Sequence, residues 1–360
     1  MIPIAKPLIG DEEKKAVQDV LDSGIIACGP KVKEFEEKFA EYCGTDYAIA
    51  VSSGTTALHA ALLAQGVGPG DEVITTPFTF IASANSILFC NAKPVFADIG
   101  NDYNIDPESI KEKITDKTKA ILPVHLYGLT CDMKALTDIA DDHGLKIVED
   151  ACQAHGSEFQ GKRAGSFTIG CFSFYPTKNM TSSEGGMITT SDKDLYDSCM
   201  LLRSHGMPKR YHHEILGFNY RLTDIAAAIG CEQLKKLEGY NAARIRNAHL
   251  LTEGLKDIDG IITPVEYGDR RHVFHQYTIR IDGFSLSRDE LISALTEKGV
   301  GNMIYYPIPV HKQKLYTGLG YDDSLPVTDE YSEQVLSLPV HPSVTPEDVQ
   351  YIIETFKGLA

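Results

Sequence analysis

The chain has 360 residues, 43% of them hydrophobic, a length that favours one large and one small domain over a single small core. Its formal net charge of −16 argues against nucleic acid as a partner, because nucleic-acid binding needs a basic stripe. No segment has the uninterrupted apolar run of a membrane span and the N-terminus lacks the apolar core of a signal peptide, so we expect a cytoplasmic protein with no membrane partner.

Helical spacing of apolar residues predicts helices, and short apolar runs predict strands. In chain order the predicted elements are helices 11–22 and 32–42, strand 47–51, helix 55–64, strand 71–75, helix 81–89, strand 94–97, helix 107–114, strand 120–124, helix 133–143 and strand 145–148. A strand-like run follows at 167–175. Strands that alternate with helices imply crossover connections, a largely parallel sheet and helices on both of its faces.

The pattern changes towards the C-terminus. A long helical stretch at 223–255, with one break signal at Gly239, leads away from the main sheet. Beyond it, 274–281 alternates like an antiparallel strand, 287–298 is helical, and the segment from Thr345 has the N-cap and first-position proline of a helix start. We therefore predict a large α/β domain over 1–240 and a smaller α+β domain over 241–360.

The cysteines and histidines give no sign of a metal or of disulfides. None of the eight cysteines belongs to a C-x-x-C pair, and several stand in apolar patterns that favour reduced, buried thiols. The twelve histidines form no H-x-x-x-H pattern and no Cys/His cluster, so no metal site is predicted.

Lys178 and Asp150 are the main candidates for chemistry. Lysines are usually solvated surface groups, but apolar and aromatic residues precede Lys178, and partial desolvation would lower its pKa and favour the free amine. Asp150 ends a predicted strand, where ligands lie in open parallel sheets, although an exposed carboxylate is also common there. Together such residues can serve pyridoxal phosphate (PLP): the lysine forms a Schiff base, and the carboxylate keeps the pyridine nitrogen protonated.

Other polar segments have two interpretations each. The segment 52–58 suits a phosphate at a helix N-terminus, yet a capped strand-to-helix turn fits equally well. Gln153 follows Asp150 at a spacing that would reach the same ring. Phe80 follows a predicted strand end and would either stack on a flat ring or belong to the core, and the trio 219–221 would contact phosphate or cap the long helix. The run Gly66-x-Gly68-x-Gly70 leads from a helix into a strand, the reverse of a dinucleotide-binding fingerprint.

These segments together resemble the DegT/DnrJ/EryC1/StrS family of PLP-dependent sugar aminotransferases over nearly the whole length. The matching motifs are Gly29-Pro30, SSGTTAL at 52–58, GPGDEV at 68–73, PVHLYG at 123–128, EDACQAHG at 149–156, FSFYPTKN at 172–179, EGG at 184–186, HGM at 205–207, GFNYRLTD at 217–224, YPIPVH at 306–311 and LPVHP at 338–342. The resemblance implies the aspartate aminotransferase-like (type I) fold: a mostly parallel central sheet flanked by helices, with a smaller C-terminal α+β domain.

The resemblance also implies roles for matching positions. Lys178 would be the Schiff-base lysine and proton shuttle, and Asp150 would pair with the pyridine nitrogen. The other implied cofactor contacts are Gln153 on the phenolic oxygen, Phe80 stacked on the ring, and Gly54, Thr55 and Ser173 on the phosphate. Asn219 would reach the phosphate of the neighbouring subunit, which implies a homodimer with shared active sites. The implied nucleotide-sugar contacts are Arg221, Tyr306 and His311.

The resemblance narrows the reaction. Family members with histidine at the lysine position are dehydratases, so Lys178 favours transamination. The segments 184–186 and 219–223 agree with relatives that aminate C4, and we expect a nucleotide-linked 4-keto-6-deoxyhexose as substrate with L-glutamate as amino donor. A nucleotide-sugar 3-aminotransferase and a non-catalytic regulatory or binding protein of the same fold are the alternatives. A nicotinamide-dependent oxidoreductase would need a G-x-G-x-x-G after a strand, which is absent. The chain departs from many relatives at Ser182-Ser183, where Thr-Gly is usual.

Overall fold

The structure is a computed structural model that describes residues 1–360. The α-helices are α1 (Asp11–Ser23), α2 (Pro30–Cys43), α3 (Gly54–Ala64), α4 (Ala82–Phe89), α5 (Pro107–Lys113), α6 (Met133–His143), α7 (Lys193–Arg203), α8 (Asp224–Leu255), α9 (Arg288–Glu297), α10 (Lys314–Gly318), α11 (Pro326–Gln334) and α12 (Pro346–Lys357). The strands are β1 (Tyr47–Val51), β2 (Glu72–Thr75), β3 (Lys93–Phe96), β4 (Thr118–Leu122), β5 (Lys146–Asp150), β6 (Glu158–Phe159), β7 (Lys162–Arg163), β8 (Ile169–Ser173), β9 (Gly186–Thr190), β10 (Ile261–Ile262), β11 (Arg270–Arg271), β12 (Tyr277–Ile281) and β13 (Val335–Leu338).

Seven strands form the central sheet in the order β1-β9-β8-β5-β4-β2-β3. The pairs β8–β5, β5–β4, β4–β2 and β2–β3 are parallel, whereas β9 runs antiparallel to both of its neighbours. The predicted mostly parallel sheet is therefore confirmed. Because only β9 is reversed, the carboxyl ends of the other six strands meet at one edge of the sheet.

Both faces of the sheet are covered, as the alternation of side chains along β1 illustrates. Ile49 and Val51 belong to the apolar cluster formed with α3, whereas Ala48 and Ala50 belong to the cluster formed with α2 and α8. Such double burial explains why the strands have near-continuous apolar sequences. The predicted arrangement of helices on both faces is confirmed.

One carboxylate connects two of the motifs that carry the family resemblance. Asp224, the first residue of α8, accepts hydrogen bonds from the backbone N–H groups of Gly29 (2.8 Å) and Val32 (3.0 Å) at the start of α2. A Cβ atom at position 29 would lie 2.7 Å from Asp224 Oδ2, so glycine is needed for this close approach. Asp224 thus fixes the end of the 217–224 segment against the N-terminal helices.

A second apolar core surrounds the small sheet β10-β12-β13, which packs with the end of α8, α9 and α12. The helix α8 continues through Gly239 without interruption, so the expected break there is absent and residue 240 lies inside one helix. The N-terminus joins this unit, since Ile2 pairs with Val300. We keep the division into 1–240 and 241–360 as a proposal. None of the helices is both long enough and apolar enough to span a bilayer.

Candidate active site

Five connections lie together at the carboxyl edge of the central sheet. They follow β1, β2, β4, β5 and β8, and each carries residues with polar or aromatic side chains. This is the position at which ligands bind in open, mostly parallel sheets. Gly54 and Thr55, Phe80, Asp150 and Gln153, and Ser173 and Lys178 therefore come from separate connections to the same edge.

The turn between β1 and α3 exposes free backbone donors. Ser53 is the N-cap of α3, and its Oγ accepts a hydrogen bond from Thr56 N at 3.1 Å. The first intrahelical bond runs from Ala57 N to Ser53 O, which leaves the N–H groups of Gly54 and Thr55 without partners in the helix. Such N–H groups and the helix dipole favour an anion at this position.

Close packing brings the turn against β8. A Cβ atom at Gly54 would lie 2.8 Å from Ser173 Cβ and 2.9 Å from Cys152 Sγ. Similarly, a Cβ atom at Gly186 would lie 2.3 Å from Ser53 O. The two glycines therefore allow the anion-binding turn, Ser173 and the Asp150 connection to sit beside one another, an arrangement that larger residues would prevent.

Asp150 is buried at the end of β5, with 4% of its surface exposed. Ser83 Oγ donates a hydrogen bond to Oδ2 at 2.7 Å, and Cys152 N donates to Oδ1 at 3.2 Å. Thr79 Oγ1 lies 2.9 Å from Ser83 Oγ and continues this chain of hydroxyls. A carboxylate held in this way has a fixed direction and is suited to a cationic ring nitrogen.

The orientation of the Gln153 amide follows from its partners. The N–H of Tyr127 donates to Gln153 Oε1 at 2.9 Å, so the carbonyl side of the amide faces the backbone. Gln153 Nε2 is then the free donor, and it lies 3.1 Å from the hydroxyl of Tyr306. The same NH₂ group can donate to an oxygen on a bound ring.

Lys178 follows β8 by five residues, and its backbone N–H bonds to Tyr175 O at 2.9 Å. Burial lowers the pKa of its ammonium group, while the nearby Asp150 carboxylate acts in the opposite direction. The net lowering raises the share of the free amine, the form that attacks an aldehyde. Lys178 and Asp150 are close enough for their charges to interact.

Phe80 and Tyr306 place two aromatic rings near one another at this edge. The Phe80 side chain is 58% exposed, so it does not belong to the core, and its ring centroid lies 6.4 Å from that of Tyr306. Of the two interpretations of Phe80, the structure thus excludes burial in the core. An exposed aromatic ring next to Tyr306, whose hydroxyl accepts a hydrogen bond from Gln153, is available for stacking.

Asn219, Arg221 and His311 lie on segments outside these five connections. The backbone of 219–221 pairs with Ser204, with Val51 and with Ser52, but the Asn219 side chain is exposed and forms no hydrogen bond in this chain. His311 is buried beside the Phe96 ring, with Nε2 3.6 Å from Asp329 Oδ1. The sugar contacts that the resemblance implies for Arg221 and His311 stay predictions.

Three residues of the site were not identified from the sequence: Ser83, Tyr127 and Asn179. They act on Asp150, on Gln153 and on the neighbourhood of Lys178 through contacts between distant segments. Only the position of Asn179 beside Lys178 gave a local signal.

The residues present fit PLP. Free N–H groups stand at the helix N-terminus for a phosphate, a buried carboxylate held by Ser83 is available to a ring nitrogen, and an amine of lowered pKa lies near that carboxylate. No group of three or more His, Cys, Asp or Glu side chains that would hold a metal ion occurs in the chain.

Comparison with known proteins agrees with this geometry. A family model described as the DegT/DnrJ/EryC1/StrS aminotransferase family matches residues 7–357. A pleiotropic regulatory protein of Geobacillus stearothermophilus is 43% identical, with 95% of this chain and 93% of the relative covered. GDP-perosamine synthase of Caulobacter vibrioides is 41% identical (98% and 96% covered), and the dTDP-3-amino-3,4,6-trideoxy-α-D-glucose transaminase of Streptomyces venezuelae is 40% identical (97% and 92% covered).

Solved structures extend the similarity to three dimensions. The S. venezuelae DesV protein in complex with a ketimine intermediate superposes with a TM-score of 0.94 at 40% identity, with 97% of this chain and 94% of that chain covered. A Streptococcus pneumoniae relative, 30% identical, has been solved in a PLP form and a PMP form; the PLP form has a TM-score of 0.93, with 99% and 98% of the two chains covered. The chain therefore belongs to the DegT/DnrJ/EryC1/StrS family of PLP-dependent sugar aminotransferases.

Proposed function

We propose that the protein converts a nucleotide-linked 4-keto-6-deoxyhexose to the 4-amino sugar, with L-glutamate as amino donor. The observation that carries this proposal is the convergence of Lys178, whose pKa burial lowers, and the buried Asp150 carboxylate at one sheet edge. PLP, when bound, supplies an electron sink for the carbon that loses its proton. The chain itself must bind the cofactor, orient both substrates and move protons.

Lys178 is the proposed proton carrier. Its Nζ would take the proton from the donor's α-carbon and return a proton elsewhere, a task that requires the unprotonated amine. Burial provides that form by lowering the pKa of the amine. General acid–base assistance of this kind contributes roughly 10²- to 10⁴-fold to a rate.

Six other residues of the same chain are proposed to hold the cofactor. Asp150, fixed by Ser83, would face the ring nitrogen, and Gln153 Nε2 would donate to the phenolic oxygen. Phe80 would cover one face of the ring, and the 58% exposure of its side chain supports this role. The remaining proposed contacts, all to the phosphate, are Gly54, Thr55 and Ser173.

A homodimer with shared active sites is part of the proposal. Asn219 is exposed and without a side-chain partner, although its backbone is fixed by β-type pairing to Ser204. Apolar side chains are exposed on segments that adjoin 219–224, among them Leu216 at 84% and Tyr211 at 76%. A second copy of the chain would bury these side chains and would place Asn219 and Arg221 at its neighbour's site.

The proposal that the amino group is added at C4 rests on the motifs 184–186 and 219–223. Relatives include both a GDP-perosamine synthase and a 3-amino sugar transaminase, so a 3-aminotransferase is the competing hypothesis. A regulatory role is a second alternative, since one relative is described as a regulatory protein. The presence of Lys178, Asp150 and Gln153 at one sheet edge favours catalysis over regulation.

The test uses the protein loaded with pyridoxamine phosphate and a panel of nucleotide-linked 4-keto and 3-keto sugars. Return of the aldehyde absorbance with 4-keto sugars alone is the expected result, followed by bleaching on addition of L-glutamate. Conversion of 3-keto sugars alone would establish the competing position. A Lys178→Ala variant serves as the blank, and Lys162→Ala, which alters an exposed lysine outside the site, is its matched control.

A further inference from the structure

Asn179, the residue after Lys178, is the centre of a buried group of polar side chains. It is 3% exposed, and its Nδ2 donates to Asn241 Oδ1 at 2.9 Å and to Val273 O at 3.3 Å. Its Oδ1 lies 3.2 Å from His275 Nδ1. Asn241 belongs to α8 and Val273 to the segment that leads into β12, so three distant parts of the chain meet at this amide.

The direction of every hydrogen bond in this group follows from one carbonyl. Asn241 donates from Nδ2 to the backbone oxygen of His155 at 2.8 Å, and a carbonyl can only accept. The Oδ1 of Asn241 must therefore face Asn179, and the facing atom of Asn179 must be Nδ2. It follows that Asn179 Oδ1 accepts from His275, whose Nδ1 carries the hydrogen.

The segment that carries His275 also touches the Gln153 side of the site. Val273 N bonds to Gly128 O and Gln276 N bonds to Tyr127 O, next to the N–H that holds Gln153. A Cβ atom at Gly128 would lie 2.9 Å from His275 N, so the glycine allows the segment to pass there. One segment, residues 273–276 (the crossing segment), thus supports both the loop of the lysine and the loop that holds the glutamine.

No carboxylate belongs to this group. Its charged and titratable members are His155, His275 and, one layer further, Arg244, which bonds to the carbonyls of Phe274 and His275. Burial, and then the charge of Lys178, holds the pKa of both histidines well below the usual range. On the cofactor side, Lys178 faces Asp150 and Cys152. The amine therefore has an acidic partner only where the cofactor would bind.

We propose that Asn179 is a positioning residue, which through its amide bridge to Asn241 and His275 holds the Lys178 amine at the distance that the reaction requires. The inference rests on the proposed function of Lys178. Asn179 itself touches neither cofactor nor substrate, and its effect is on where the amine lies. Loss of the bridge frees the loop 174–179 from both α8 and the crossing segment.

The test measures covalent capture of PLP by the apo-protein, with the attachment site mapped after borohydride reduction. In Asn179→Ala the rate of capture at Lys178 is expected to fall by about 10- to 100-fold, as small displacements of reacting groups cost rates of this order. Noncovalent retention of PLP, which relies on other residues, should change less than threefold. In turnover, kcat should fall while KM for L-glutamate stays the same.

Asn247→Ala is the matched control. Asn247 is equally buried on α8 and donates to the carbonyls of Val340, His341 and Val344, far from Lys178. It should lower the melting temperature without slowing capture. If the Asn179→Ala protein does not fold, Asn241→Ala is used, because it removes the same bridge from the side of α8. The rate of PLP capture at Lys178 is expected to fall in Asn241→Ala as well.

A second measurement is independent of the cofactor. The nitrogen chemical shifts of His275 in the apo-protein should show the neutral form with hydrogen on Nδ1, and Asn179→Ala should abolish this preference. Wild-type capture rates in both Asn179→Ala and Asn241→Ala would overturn the inference. If the wild-type protein itself is not labelled at Lys178, the proposed function fails rather than the role of Asn179.

Discussion

Ser83 and Asp150 are joined by a hydrogen bond of 2.7 Å between the serine hydroxyl and Oδ2 of the carboxylate, across 67 positions of the chain. The bond connects α4 with the end of β5 and sets the plane of the carboxylate. Hydrogen bonds to charged groups contribute about 1.5–3 kcal/mol. The direction of Asp150 therefore depends on a residue outside the strand that carries it.

Replacement of Ser83 by alanine is expected to weaken PLP binding by about tenfold, the equivalent of about 1.4 kcal/mol. The loss arises because Asp150 would no longer be held towards the ring nitrogen. A fluorescence titration of the apo-protein with PLP measures the change. Ser86→Ala removes a buried hydroxyl of the same helix that bonds to Ser83 O, and it should leave the affinity unchanged. Equal affinities for both variants would contradict the role of Ser83.

We expect Glu149 to stabilise the fold and to take no part in catalysis. It is fully buried, and its carboxylate oxygens accept from the backbone N–H groups of Gly165, Phe167 and Thr168 and face His125 Nε2 at 3.1 Å. Glu149→Gln would turn an NH₂ group towards these donors, at a cost of about 2–4 kcal/mol. Urea unfolding of the apo-protein checks this, with the exposed Glu333→Gln as control. A loss below about 0.5 kcal/mol would contradict the assignment.

The predicted elements that agree with the structure are those whose residues are buried on one helix face or on both sheet faces. Apolar runs such as Tyr47–Val51 correspond to strands of the central sheet, because parallel strands between two helix layers need apolar residues throughout. The helix α7 and the antiparallel strand β9 were missed. Three of the five residues of β9 are glycine or threonine, and its place in the sheet is set by pairing with β1 and β8.

The same distinction between local pattern and long-range contact explains which site residues the sequence predicts. Lys178 and Asp150 are predicted from chain order, because Asp150 ends β5 and Lys178 follows β8 by five residues, which indicates the carboxyl edge of the sheet. Ser83 and Asn179 act through partners 67 and 62 positions away, and such pairs depend on how helices dock. His311 lies buried beside the Phe96 ring, and the substrate contact that the motif match implies for it stays a prediction.

Stability should fall in acid because of His155. Burial, followed by the charge of Lys178, lowers the pKa of this histidine to about 3, whereas an unfolded histidine titrates near pH 6.5. Between these values only the unfolded chain takes up the proton, so stability is complete above about pH 6.5 and decreases by about 1.4 kcal/mol per pH unit as pH falls towards 3.

His155→Leu tests this dependence. Both ring nitrogens of His155 lack hydrogen-bond partners, so leucine removes a titrating group without breaking a bond. Urea unfolding between pH 7 and pH 5 should show a slope smaller by about one proton. In His272→Leu the slope should decrease too, because burial lowers the pKa of His272 to about 3, but stability at pH 7 should also fall, since Phe274 N bonds to its Nδ1. An unchanged slope in His155→Leu would be inconsistent with a buried neutral ring.

Ser183 occupies a position that suits glycine. Its φ angle is +75°, in the left-handed region, and its side chain is exposed. Ser183→Gly should stabilise the fold by about 0.5–1 kcal/mol, because glycine adopts this conformation without strain. Ser293→Gly in α9 should have the opposite sign, since glycine weakens a helix interior. Thermal unfolding of both variants measures these changes in stability. A loss of stability in Ser183→Gly would show that the left-handed conformation at this position is not strained for serine.

The most direct test of the account is the identity of the side chain that binds the cofactor. The holoenzyme is reduced with borohydride, digested and mapped by mass spectrometry, alongside Lys178→Ala and Lys162→Ala. We expect a single pyridoxyl label on Lys178 in the wild-type and Lys162→Ala proteins, and no label in Lys178→Ala. A label on a different lysine, or an unlabelled wild-type protein that still transfers amino groups, would contradict it.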